Sequence, residues 1–286
     1  MKLSALLKGN KPTLSFEVFP PKTWDTYDSV KATTMEIAGL KPDFMSVTYG
    51  AGGGTSDATV SIAESILKQC SVTPLAHLTC VSSTKDDVRR QLAELKRHGV
   101  ENILALRGDI PADGVTAQDY RYASELISDI RMAGDFCIGG ACYPEGHTES
   151  KNQAEDIANL KQKVDTGCEF LTTQMFFDNN VLYNFLYKIR EAGITVPVVA
   201  GIMPVTNGKQ IQRICRLSGT YLPQRFKSIV DCFGDKPAAM KQAGIAYATD
   251  QIIDLLANGV KNIHVYTMNK PDVAAKIQSN LLEILK

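Results

Sequence analysis

The sequence predicts a (β/α)8 barrel, an α/β fold in which parallel strands close into a cylinder surrounded by helices. Three observations lead there. Eight short apolar or β-branched runs alternate with longer runs of helical period. The 286 residues contain no low-complexity linker and no block of like charge, so residues 1–286 are expected to form a single domain. Polar residues also gather at the C-terminal ends of the strands, where barrel chemistry sits.

The first strand is expected at 13–19, TLSFEVF, and Pro20 and Pro21 stop it. A helix near 25–39 precedes a strand at 43–49, and a helix at 56–69 precedes one at 72–79. The helix at 84–98 has the clearest ends. Thr84 with Asp87 resembles a capping box, Val88, Leu92 and Leu95 share a face, His98 lies near the C-terminus and Gly99 ends it. Further strands are expected at 101–107, 136–143, 169–174, 196–202 and 262–267. Between and after them, helices are expected near 120–134, 151–166, 179–192, 208–217, 237–258 and 271–285, with a short extra helix at 222–233. A doubly wound open sheet would use fewer strands.

Composition narrows the function. Lys plus Arg is 31 and Asp plus Glu is 31, so nucleic acid is not an expected partner. No apolar stretch approaches the roughly 18 residues that span a bilayer. The N-terminal MKLSALLKGN has too short an apolar core for a signal peptide. The seven cysteines are odd in number and form no C-x-x-C pair, so free thiols in a reducing cytoplasm are expected. Cys137, Cys142 and His147 lack a second close pair, so no metal site is expected.

The strand ends supply the candidate site. Alternation along the first strand puts Ser15, Glu17 and Phe19 on one face and Phe16 and Val18 on the other. The more apolar pair suits the helix-facing side, so Glu17 is expected inside the barrel near its top. Withdrawal from water would raise its pKa and let it act as an acid; alternatively, a neighbouring donor such as Arg107 ties it down. The glycines at 50–54 match neither G-x-G-x-x-G nor a P-loop; they form either a flexible turn or a surface that a flat ligand can approach. Arg107-Gly108-Asp109 follows a strand directly and reads either as a binding motif or as a surface ion pair. His77 and His147 lie at strand ends as possible ligand contacts, His98 suits a helix C-terminus, and His264 is expected to pack in or beside the last strand.

Taken together, the motifs resemble methylenetetrahydrofolate reductase. They are SFEVFPPK at 15–22, SVTYGAGG at 46–53, HLTC at 77–80, LALRGD at 104–109, YPEGH at 143–147, LKQKVDTG at 160–167, TTQMFFD at 172–178, GIMPVTN at 201–207 and HVYTMN at 264–269. They run in order over nearly the whole chain. The resemblance implies a bacterial-type catalytic domain, a cytoplasmic homo-oligomer that binds FAD. In this family NADH or NADPH reduces the flavin and leaves, and 5,10-methylenetetrahydrofolate then binds in the same place and is reduced to 5-methyltetrahydrofolate, a ping-pong sequence. Glu17 matches the general acid that opens the folate's imidazolidine ring. Asp109 matches an aspartate whose charge stabilises the iminium cation and tunes the flavin. Gln174, Gln210 and Lys270 match substrate-side positions. Thr48, Tyr49, Ala51, His77, Arg107, Gly108, Asp109, Tyr143, His147, Asp156, Asn159 and Lys163 match FAD contacts, with Arg107, His147 and Lys163 toward phosphate and ribityl oxygens.

Two positions depart from the family pattern. Ile214 stands where an aromatic would stack on the nicotinamide, so a ferredoxin or other partner protein is an alternative electron donor. Lys270 stands where arginine is common, and lysine cannot form the same bidentate fork to a carboxylate. A folate-binding barrel methyltransferase is a second alternative, but it would need clustered Cys and His ligands.

Overall fold

The computed structural model describes residues 1–21, 23–49, 56–110, 114 and 116–286. Its strands are β1 (Thr13–Val18), β2 (Phe44–Val47), β3 (Thr73–Thr79), β4 (Asn102–Leu106), β5 (Cys137–Cys142), β6 (Phe170–Thr173), β7 (Val198–Ile202) and β8 (Asn262–Tyr266). Each lies within two residues of its expected bounds. They pair in sequence order, all parallel, and β8 closes on β1. The fold is the expected (β/α)8 barrel.

A short helix, α1 (Leu3–Leu7), comes first; α2 (Tyr27–Gly39), α3 (Ser56–Cys70), α4 (Lys85–Arg97), α5 (Ala123–Ala133), α6 (Gln153–Thr166) and α7 (Asn179–Glu191) follow successive strands. After β7 come α8 (Gly208–Ser218), α9 (Gln224–Phe233) and α10 (Pro237–Ala257), and α11 (Pro271–Leu281) follows β8. The capping box of α4 forms as read: the Asp87 N–H donates to Thr84 Oγ1 and the Thr84 N–H donates to Asp87 Oδ2, both at 3.1 Å.

The core has two parts. Outward-facing strand residues such as Phe16, Val18, Met45 and Ile103 pack under helix residues such as Ile37, Ile66, Leu92 and Ile277. Each full burial contributes roughly 1.5–3 kcal/mol. Inside the barrel, Phe44, Leu75, Leu104, Phe170 and Val199 fill the lower end, closed from below by Leu3 and Leu7 of α1. The Leu3 N–H donates to Asn102 Oδ1 at 2.8 Å and holds that plug in place. Sequence periodicity did not reveal α1, because five residues are too few to show a helical period.

Above the apolar plug the barrel interior turns polar. Ser15, Glu17, Ser46, His77 and His264 are all buried there. Tyr266 crosses the upper interior, where its hydroxyl donates to the Thr173 carbonyl. Gly201 makes room for it: a Cβ at that position would stand 2.4 Å from the Tyr266 oxygen.

Candidate functional site

Glu17 points into the barrel as its strand alternation predicts, and only 7% of it is exposed. The β1–β2 register sets it beside Ser46, and the β1–β8 register sets it beside Tyr266. Ser46 donates its hydroxyl proton to Glu17 Oε2 at 3.2 Å. His77 Nε2 lies 3.5 Å from the same oxygen and His264 Nε2 lies 3.6 Å from it. Arg107, the donor suggested by the sequence, is engaged elsewhere.

Of the two sequence readings of Glu17, a carboxyl raised by burial and one tied down by a neighbouring donor, the surroundings match the second, with other donors than Arg107. Burial pushes the Glu17 carboxyl upward, but the His264 hydrogen bond, the His77 and His264 charges and the Ser46 hydrogen bond outweigh it, and the net direction is down. The sequence showed the burial but not the donors, which come from β2, β3 and β8.

The exit of β1 is clamped from β8. Thr267 Oγ1 donates to the Glu17 carbonyl at 2.6 Å. Asn269 accepts from the Phe19 N–H at 2.8 Å and donates to the Phe19 carbonyl at 3.0 Å. Asn269 reaches this position with φ +53°, a left-handed conformation that asparagine tolerates better than most residues. The YTMN segment therefore holds the catalytic candidate's own backbone.

Beside this layer, a cavity of about 1090 Å³ opens over β2–β5 and α6. Thr48, Tyr49, His77, Arg107, Gly108, Asp109, Tyr143, His147, Asp156, Asn159 and Lys163 all line it. The remaining cofactor candidate, Ala51, and the glycine run at 50–54 lie outside the described residues. Gly108 has φ +88°, and a Cβ there would meet Thr79 and Val81 at 3.1 Å, so the chain turns tightly against the β3 end. Lys163 donates its ammonium to the Ala141 carbonyl at 2.8 Å, and burial pushes its pKa downward. Ser150 donates to the buried Asp156 at 3.1 Å. His147 packs edge-on against Tyr143.

Arg107 forms a fork with Glu149, both arms at 2.6 Å. Of the two readings of Arg107-Gly108-Asp109, the surface pair between Arg107 and Asp109 does not form; the arginine pairs with Glu149. Glu149, Ser150, Gln162, Arg90 and Gln91 are cavity residues that the sequence reading missed. The last two lie on α4, where helical period spoke only of packing.

The substrate-side candidates lie outside this cavity, toward β6–β8. Gln174 follows β6, and its side-chain oxygen accepts the Met175 N–H at 2.9 Å. Gln210 is exposed in the first turn of α8. Ile214, on the same helix, packs into an apolar cluster with Met175, Phe177 and Phe226. Lys270 donates to Thr206 Oγ1, and burial with the nearby Lys241 charge lowers its pKa.

The buried histidine makes the fold sensitive to acid. Burial holds His77 down at about 4, against 6.5 in an unfolded chain. Between those values the unfolded state binds more protons, so stability is full above the unfolded value and falls as pH drops toward 4. About 3 kcal/mol should be lost from this group between pH 7 and pH 4. Urea unfolding across that range checks it, and His77→Gln should flatten the slope. An unchanged slope in that variant would remove His77 as the source.

Comparisons with known proteins agree with this geometry. The profile of one family, described as "Methylenetetrahydrofolate reductase", matches residues 2–282. The chain is 36% identical over 264 residues to the 5,10-methylenetetrahydrofolate reductase of Pectobacterium carotovorum subsp. carotovorum, covering 92% of this chain and 88% of that protein. It is 35% identical to the Escherichia coli (strain K12) protein of the same name, with the same coverage. A "Probable methylenetetrahydrofolate reductase (NADH)" of Oryza sativa subsp. japonica is 34% identical, and there the match covers 98% of this chain but 50% of the longer plant protein. Among solved structures, an uncharacterized protein from Clostridium thermocellum, described as binding two copies of 5-methyl-5,6,7,8-tetrahydrofolic acid, superposes with TM-score 0.63 at 18% identity, over 100% of this chain and 99% of that one. At that identity the likeness speaks to the fold.

Proposed function

This chain belongs to the methylenetetrahydrofolate reductase family, and from that premise we propose that it converts 5,10-methylenetetrahydrofolate to 5-methyltetrahydrofolate, using FAD as bound cofactor and NADH or NADPH as electron donor in ping-pong order. One observation carries the reading. Nine residues matched to cofactor contacts from five separate motifs, together with Asp156 and Asn159, line a single cavity, and Glu17 stands directly behind one of them, His77.

The cavity suits a flavin dinucleotide. Its volume matches a large cofactor. The Arg107 fork presents two donors to an anion, and Glu149 now supplies the carboxylate that a diphosphate would replace. His77 joins the cavity wall to the layer behind it: its Nε2, buried without a hydrogen-bond partner, lies 3.5 Å from Glu17 Oε2. A flavin held here supplies two-electron redox chemistry.

The protein does the rest. Glu17 gives a proton to a ring nitrogen of the folate; the adjacent C–N bond breaks, and its electron pair stays on that nitrogen. Asp109, in the cavity lining, offers its carboxylate to the positive charge left on the other nitrogen. Gln174 and Gln210 orient the pterin. Lys270 offers a single ammonium to the folate carboxylate, a weaker hold than an arginine fork.

The test uses purified protein under anaerobic conditions. Its flavin is reduced chemically, 5,10-methylenetetrahydrofolate is added, and the visible absorption of oxidised flavin is followed. Rapid reoxidation with formation of 5-methyltetrahydrofolate is expected, whatever the physiological donor. Flavin that stays reduced rejects the folate reading, and failure to bind FAD at all rejects the cofactor reading.

A further inference from the structure

The polar layer inside the barrel raises a question of proton inventory. His264 is buried, 1% exposed, with both ring nitrogens engaged. Nδ1 lies 2.7 Å from Ser15 Oγ, and Nε2 lies 3.1 Å from Ser46 Oγ. A hydroxyl has one proton to give. Ser15 gives its proton to the Ile263 carbonyl at 3.0 Å, and Ser46 gives its proton to Glu17 Oε2 at 3.2 Å. With those directions both ring nitrogens face oxygen lone pairs, and a ring carrying both hydrogens satisfies every contact. That is an imidazolium. A neutral ring would need one of those protons back, leaving either the Ile263 carbonyl or the Glu17 carboxylate without its hydroxyl donor.

The surroundings suit a cation. The Glu17 carboxylate is 3.6 Å from Nε2. The Phe44 ring lies parallel to the imidazole at 5.8 Å between centroids, within cation–π range. The other titratable groups facing the ring are Tyr266 of β8, edge-on at 5.4 Å, and His77 of β3. His77, with its pKa held down at about 4, is uncharged near neutral pH and does not compete for the proton.

We propose that the acid proton is stored on His264, as an imidazolium paired with the Glu17 carboxylate, and reaches Glu17 through the Ser46 hydroxyl. This rests on the reading of Glu17 as the acid for folate ring opening. In the transfer, His264 Nε2–H gives its proton to Ser46 Oγ while the Ser46 O–H gives its own proton to Glu17 Oε2. His264 becomes neutral and keeps its Nδ1–H on Ser15. The Ser46 proton now points at the bare Nε2, and the Glu17 carboxyl donates back to Ser46. Both ends of the transfer are thus fully hydrogen-bonded, which a relay requires. Glu17 then gives its proton to the folate nitrogen and returns to the carboxylate. Solvent restores the proton to His264 between turnovers. His264 and Ser46 act through Glu17 and are positioning residues.

The experiment is nitrogen-15 NMR of the full-length protein labelled at histidine, near neutral pH. A histidine signal with both ring nitrogens in the protonated range is expected that vanishes in His264→Gln. In Glu17→Gln the same histidine should become a neutral tautomer, which also assigns it if His264→Gln does not fold. A neutral His264 in the unmodified protein overturns the proposal, as does an imidazolium indifferent to Glu17→Gln. The kinetic arm uses Ser46→Ala: reoxidation of reduced flavin by folate should slow on the order of tenfold or more, with flavin content retained. In His264→Gln the same reaction should also slow on the order of tenfold or more. Full-speed reoxidation in Ser46→Ala overturns the route. The spectroscopic arm needs neither folate nor nicotinamide, so it decides the proton's location even if the folate reading fails.

Discussion

Glu17→Gln is expected to slow folate reduction by about 10²–10⁴-fold, roughly 3–5 kcal/mol of barrel-imposed catalysis, while leaving FAD bound and reducible by NAD(P)H. The substitution keeps the side-chain volume and an oxygen that can accept from Ser46, so the buried layer loses a charge but little shape. The proton is what disappears. Ring opening needs an acid at one fixed place, and among the described residues no other carboxyl shares the interior layer formed by Ser15, Ser46, His77 and His264. The flavin step needs no proton from Glu17, and the cavity residues matched to FAD are untouched. The two half-reactions, each followed by flavin absorbance in anaerobic rapid mixing, should separate cleanly. Normal folate turnover in the variant would remove Glu17 from its role.

The contrast between Glu17 and its partners marks what could be read in the sequence. Strand order, strand bounds and the inward direction of Glu17 follow from local alternation, which acts over neighbouring residues. Ser46 and His264 approach Glu17 from 29 and 247 positions away, the Ser46 link being direct and the His264 contact 3.6 Å. Only the closed register of β2, β1 and β8 makes them neighbours. Without that register a carboxyl raised by burial and one tied to a donor could not be told apart, and the donor proposed, Arg107, was the wrong one. Arg107 makes the same point. Its local motif suggested Asp109 as partner, yet the loop after β5 brings in Glu149, 42 positions away. The eleven described cavity candidates come together because each occupies a strand end, the loop after it or the following helix, and barrel topology brings all such ends to one rim.

Asp109→Asn is expected to slow folate reduction by about 10²-fold and flavin reduction far less. Asp109 follows β4 at the cavity rim, exposed, beside an arginine whose fork is already held by Glu149. Its charge is therefore not consumed by a full ion pair with Arg107 and remains available to whatever occupies the cavity. Two effects then act on the folate step. The carboxylate stabilises the cation formed when the imidazolidine ring opens, and its negative charge disfavours accumulation of anionic reduced flavin, which makes the flavin a better donor. Asparagine keeps the shape and loses both effects. The flavin's own reduction involves no folate cation, and loss of the negative charge should if anything make the flavin easier to reduce. The expected signature is thus a split: a raised flavin potential, nearly normal reduction by NAD(P)H, and slow reoxidation by folate. Equal slowing of both half-reactions, with the potential unmoved, would mean that Asp109 acts through loop structure and not through its charge.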